Sequence, residues 1–191
     1  MTLAIGFRVK SGYAVAVALS GPASAPAVMF RQVVPLSDPG DAGTRQPYHH
    51  GFATHEDDAR EIARRVHIVK RCAKRSVAAL IGALPRAGGR GRLRAVLVVG
   101  SVIDPAQVGN PHIRAHASEG RLFRTVLADA LRSHGIDCDV IVEKQLAARV
   151  AADLGRRDGD VTRVVAAFGK TLGGPWRADE KAAATAAWLE L

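Results

Sequence analysis

Leu3-Ala4-Ile5-Gly6-Phe7-Arg8-Val9 is the stretch from which the fold is read. Ser11-Gly12 separates it from a second apolar run, residues 13–19, and residues 20–26 separate that run from a third, residues 27–34. Short apolar runs bounded by Gly, Ser and Pro read as strands joined by tight turns. Three in succession predict an antiparallel meander. The decisive residue for function is the one near the end of the first strand, and here it is Arg8.

The chain has 191 residues, a length that suits one domain with a real core, residues 1–191. The net charge is +9 and the sequence pI is about 10.4, so an acidic partner such as nucleic acid is the first to consider. Two cysteines, Cys72 and Cys138, are too few for a disulfide framework and read as free thiols in a reducing compartment. Ala23-Ser24-Ala25 imitates a signal cleavage site, but the preceding apolar core is short and Pro26 follows directly. No run of 18 apolar residues is present. The expectation is a cytoplasmic protein with no membrane partner.

Residues 35–53 are rich in Pro, Gly, Asp and His and read as a loop with freedom to move. Thr54 is the expected N-cap of a long amphipathic helix whose apolar face is Ile62, Val66, Val69, Ala73, Val77, Leu80 and Leu84, with Pro85 as its stop. Residues 86–92 are Gly- and Arg-rich and predict a loop. Residues 93–99 are apolar apart from Arg94, as in a parallel strand buried on both faces. Pro111 opens the next helix, and residues 140–142 predict a short strand. A helix over 143–154, a helical segment over 161–168, a loop over 169–176 and an alanine-rich helix over 178–191 complete the chain. The expected architecture is α/β: a five-stranded mixed sheet, three strands antiparallel and two added by right-handed helical crossovers, with helices on both faces.

This order resembles the ribonuclease H-like superfamily, and the second half resembles the RuvC-type Holliday-junction resolvases. The likeness runs from Asn110-Pro111 through Ala115-His116-Ala117-Ser118-Glu119-Gly120, residues 136–142 and Lys144-Gln145 to Ala178-Asp179-Glu180-Lys181-Ala182-Ala183-Ala184. Ile5-Gly6-Phe7 and Gly12-Tyr13-Ala14-Val15 resemble the family's first hairpin. The resemblance implies two-metal phosphodiester hydrolysis, with carboxylates at the ends of the first and fourth strands and at the start of the closing helix. In this chain those positions fall at or next to Arg8, near Gly100 or Ser101, and at Asp179 followed by Ala182. One carboxylate of about four remains, so the resemblance implies a degenerate metal site with Arg8 at the vestigial position, no cofactor, and a binding or structural role.

Two alternatives come from other classes. One is an active, metal-dependent, structure-specific nuclease with a rearranged site drawn from Asp104, Glu119, Asp179 and His116, using Mg2+. The other is a dimerising protein-interaction module. His112, His116 and Glu119 share one helix face, and two histidines at i and i+4 suit zinc, although a solvated polar face is the simpler reading. His49, His50 and His55 form a second cluster, in the loop. Gly169-Lys170-Thr171 lacks the upstream glycine of a phosphate-binding loop, since Val164 stands there.

Between residues 54 and 94 there are 11 basic residues against four acidic ones, a difference of +7. Arg60, Arg64, Arg71, Lys74 and Arg75 form a stripe opposite the apolar face of the long helix. Such a stripe neutralises phosphates without reading sequence, which makes DNA or RNA, and a second copy of the chain, the candidate partners.

Overall fold

The computed structural model describes residues 2–50, 54–84 and 93–191. Strands β1 (Leu3–Lys10), β2 (Tyr13–Ser20) and β3 (Ala27–Pro35) form the antiparallel meander. Gly12, at φ 85°, supplies the left-handed residue of the first turn. Helix α1 (Ala59–Ala83) leads to β4 (Leu93–Val99), and α2 (Pro111–Arg132) leads to β5 (Cys138–Val142). The sheet order is β3-β2-β1-β4-β5. β4 lies parallel to β1, with Phe7 opposite Leu97 and Arg8 opposite Val98, and β5 lies parallel to β4. Three helices close the chain: α3 (Leu146–Leu154), α4 (Asp158–Leu172) and α5 (Ala178–Trp188).

Period-two alternation sorts β1 onto two faces. Ile5, Phe7 and Val9 join a core with Val69, Ala73, Val77 and Leu80 of α1 and Phe123, Leu127 and Leu131 of α2. Ala4 faces the other layer, where Ala183, Ala184, Ala187 and Trp188 of α5 pack with Val161, Val165 and Phe168 of α4. A Cβ at Gly6 would overlap the backbone of Ala183 and Ala187. Glycine on the strand and alanine on the helix thus bring α5 almost onto β1. That close approach carries the first turn of α5, with Asp179, to the end of β1.

Several boundaries differ from the sequence expectation. α1 starts at Ala59 rather than after Thr54, because the Asp58 carboxylate accepts hydrogen bonds from the amides of Arg60 and Glu61. The chain before it is extended instead, with His55 bridged to His49. β5 begins at Cys138, two residues earlier than expected, where Ala95 of β4 pairs with it. Residues 143–145 form a separate 3-10 turn before α3. α4 continues through Gly169 to Leu172, where a loop was expected. Trp176 packs directly over Gly169 and its indole N–H donates to the Val165 carbonyl at 2.8 Å, so tertiary packing outweighs the low helix propensity of glycine. The expected freedom of residues 35–50 gives way to packing: Leu36, Thr44 and His49 are buried. The Pro85 stop and the 86–92 loop fall outside the described residues. Among the described residues no helix is long and apolar enough to cross a membrane.

Candidate functional site

β1, β4 and β5 are mutually parallel, so their C-terminal ends share one edge of the sheet, the edge at which open α/β sheets gather ligands. Arg8 sits there, 6% exposed. Its Nη1 donates to the carbonyls of Val9 (3.1 Å) and Val98 (3.5 Å), and its Nη2 donates to Glu143 Oε2 at 2.6 Å. Nε makes no hydrogen bond but faces Asp179 Oδ1 at 3.8 Å. Lys10 Nζ reaches the same Asp179 oxygen at 3.4 Å. The guanidinium is therefore a fixed cation between two carboxylates, one following β5 and one from the first turn of α5. A guanidinium stays protonated at any working pH and offers no lone pair to a metal.

Glu143 was not among the residues singled out from sequence. Its signal was present: it is an acid directly after a strand that ends on the ligand-binding edge. Gly100 and Ser101 are exposed at the end of β4, and Ala182 is on the buried face of α5, packed with Val96 and Val98 of β4. Beside Arg8 lies an open cleft of about 450 Å³. Among the described residues its lining includes Arg8, Lys10, Arg45 and His116 and no carboxylate.

The acids considered for a rearranged site have separate partners. Asp104 is half exposed; its carboxylate accepts from the amide of Ala106 and lies 3.6 Å from Arg121. Asp179 faces Arg8 and Lys10. Glu119 is fully buried, and its Oε1 lies 2.7 Å from His49 Nδ1, in a hydrogen bond whose donor is set by the protonation of the pair. Among the described residues, the one group of three or more His, Cys, Asp and Glu side chains spaced to share an ion is His49, His112 and His116. His49 thus leaves its sequence neighbours: His50 turns to Glu56 at 3.3 Å and His55 to Asp57 at 3.1 Å. Burial pushes the Glu119 carboxyl up to about 7, opposed by His116, the Tyr48 amide and His112. Burial, and His55 beside it, push the His49 imidazole below its ordinary value.

On α1, Arg60, Arg71, Lys74 and Arg75 are exposed, as the stripe requires. Arg64 is partly spoken for: it donates to Glu61 at 2.7 and 2.8 Å and to Asp41 at 2.8 Å. The bonds from Arg64 to Glu61, with one from Arg65, hold the Glu61 carboxyl down at about 2. Arg65 turns inward, donating to the His49 carbonyl at 2.9 Å and pairing with Glu56 at 3.2 Å.

A sheet of three antiparallel strands extended by two parallel ones, with α1 and α2 on one face and α5 on the other, defines the ribonuclease H-like class of α/β folds. Within that class the chain has the RuvC form. It matches Thermus thermophilus RuvC in complex with a Holliday junction substrate at a TM-score of 0.55 and 12% identity, over 99% of this chain and 92% of that one. It matches a second Thermus thermophilus RuvC structure at 0.54 and 9% identity, over 98% and 92%. At such identities the likeness establishes the fold. No protein-family model and no curated protein matches the chain.

Proposed function

We propose that this chain is a catalytically inactive RuvC-like domain that binds nucleic acid through its phosphates. The observation that carries the reading is Arg8, buried at the end of β1 and bonded to Glu143 with Asp179 alongside. Two divalent ions about 4 Å apart need several anionic ligands around them. Here a permanent cation stands where the resemblance puts the first carboxylate, and it engages the nearest acids itself. The adjoining cleft is lined by cations without a carboxylate, which suits a phosphate diester better than a hydrated metal pair.

The test has two arms. The protein is incubated with four-way junctions and RNA–DNA hybrids in magnesium or manganese, with Asp179→Asn as control. The expected result is no cleavage; metal-dependent cutting that disappears in the control would refute the inactive reading. In parallel, binding to the same substrates is titrated against salt. Affinity falling linearly in log salt supports the phosphate interface, and no binding at low salt refutes it.

A further inference from the structure

Three histidines from two distant parts of the chain meet at the beginning of α2. His49 Nε2 lies 3.3 Å from His112 Nδ1, and His116 Nε2 lies 3.2 Å from His112 Nε2. The rings are stacked edge to face or tilted, with centroids 4.5–5.2 Å apart. One nitrogen from each ring falls within 4.8 Å of one nitrogen from each of the others. Ligands on a tetrahedral ion with bonds of about 2.0–2.1 Å are separated by about 3.3 Å, so modest rotation of the half-exposed His112 ring closes the set on one centre.

What lies beneath the rings decides their tautomers. Glu119 is wholly buried, and it faces the Nδ1 atoms of two histidines: His49 at 2.7 Å and His116 at 3.6 Å. In its ionised form Glu119 favours the proton on Nδ1 of both rings, by the contact to His49 and by its charge near His116, and leaves both Nε2 lone pairs free on the side of His112. This is the arrangement in which a second-shell carboxylate orients metal-binding imidazoles. Glu119 Oε2 has no hydrogen bond of its own, an expensive state for a buried carboxylate oxygen that a cation above the rings would relieve. The loop ligand is also held in advance. Arg65 of α1 grips the His49 carbonyl, His49 is bridged to His55, and the Glu56 amide donates to the Tyr48 carbonyl at 3.0 Å.

We propose that His49, His112 and His116 form a binding site for a borderline-soft divalent ion of the zinc class, with Glu119 as the orienting carboxylate. All-imidazole first shells suit zinc and its neighbours and not magnesium, which requires oxygen ligands. Three protein ligands leave a fourth position for water. The ion clasps the segment before α1 to the start of α2, reinforcing the His49–Glu119 contact that already joins them. The site is separate from Arg8 and does not depend on how the cleft is used, although His116 also lines that cleft.

The test uses the full chain, stripped with a chelator and titrated with zinc by calorimetry and with cobalt(II) by visible absorption. One zinc per chain, a rise in melting temperature on zinc addition and none on magnesium, and the visible bands of tetrahedral cobalt are expected. His112→Ala/His116→Ala, both on the solvent side of α2, should retain the fold by circular dichroism and lose all three signals. Glu119→Gln keeps an acceptor for His49 but removes the charge, and should weaken zinc by about 10- to 100-fold. Zinc binding that survives unchanged in the double variant, an octahedral cobalt spectrum, or the absence of binding by the wild type would each overturn the proposal.

Discussion

Arg8 and its two carboxylates are not equivalent, and the difference can be measured. The Arg8 side chain is 8% exposed, whereas Glu143 is 45% and Asp179 26% exposed. Replacing Arg8 by Met leaves two carboxylates that water still reaches, and Asp179 keeps Lys10 at 3.4 Å. The cost is then about 1–2 kcal/mol, the range for losing a charged hydrogen bond where solvent takes over the partner. Glu143→Gln/Asp179→Asn does the reverse: it leaves a guanidinium buried without an anion, which costs roughly 3–5 kcal/mol. For a chain of this size 1 kcal/mol shifts the melting temperature by about 2–4 °C. Differential scanning calorimetry should therefore find the two-acid variant less stable than Arg8→Met by on the order of 4–10 °C. A two-acid variant as stable as the wild type, or less harmed than Arg8→Met, would show that Arg8 is not the charge the carboxylates exist to balance.

Arg8→Asp, by contrast, gathers three acids at the strand ends. Magnesium should raise the melting temperature of this variant by a few degrees and leave the wild type unchanged; equal responses would count against the vestigial-site reading. Reversing Arg64, Arg71 and Arg75 to Glu should weaken binding to every nucleic acid alike and flatten the salt slope, and since Arg64 is already engaged by Glu61 and Asp41, most of the loss should reappear in Arg71→Glu/Arg75→Glu alone. Unchanged affinity in the triple variant would remove α1 from the interface. In the metal-free protein, Glu119 keeps its proton to about pH 7 when folded and releases it near 4.5 when unfolded, so its contribution is present below about 4.5 and is lost as pH rises through about 7. Glu119→Gln lacks that titration and should gain on the wild type by on the order of 2–3 kcal/mol between pH 4.5 and pH 8 in urea unfolding; a pH-independent difference would refute it.

The meander, the parallel β4 and the alanine-rich closing helix were legible because each rests on local pattern. Turn residues bounded β1 to β3, an apolar run interrupted only by Arg94 marked β4, and small residues marked the face of α5. Arg8 was legible from its place near the end of the first strand, where the resemblance puts a carboxylate. What escaped was whatever depends on contacts far apart in sequence. Glu143 looked like an ordinary helix start until β5 lay next to β4. His49 looked like a partner of His50 and His55, because adjacency in sequence suggests a cluster. Successive residues in an extended segment point to opposite sides, however, so His49 turns inward to Glu119 while His50 stays exposed. The pairing of residues 49 and 119 is 70 positions long and leaves no periodic trace.

On the reading proposed above, an arginine in place of a metal would change what kind of binding the fold supports. A strand-end site that relies on divalent ions presents positive charge to a phosphate only when those ions are loaded, and the same ions polarise the phosphodiester. A guanidinium held by backbone carbonyls and two carboxylates is present at all times, is partly neutralised by its own partners, and cannot generate a hydroxide. Among the described residues, Lys10 and Arg45 at the cleft and the exposed basic residues of α1 are then available to meet a ligand. Binding of this kind should be insensitive to chelators, because no cation in it is exchangeable, and sensitive to monovalent salt, because phosphate neutralisation releases counterions. Chelator sensitivity, if observed, would have to enter through the three histidines beside the cleft, and His112→Ala/His116→Ala would abolish it while leaving the salt slope set by α1 in place.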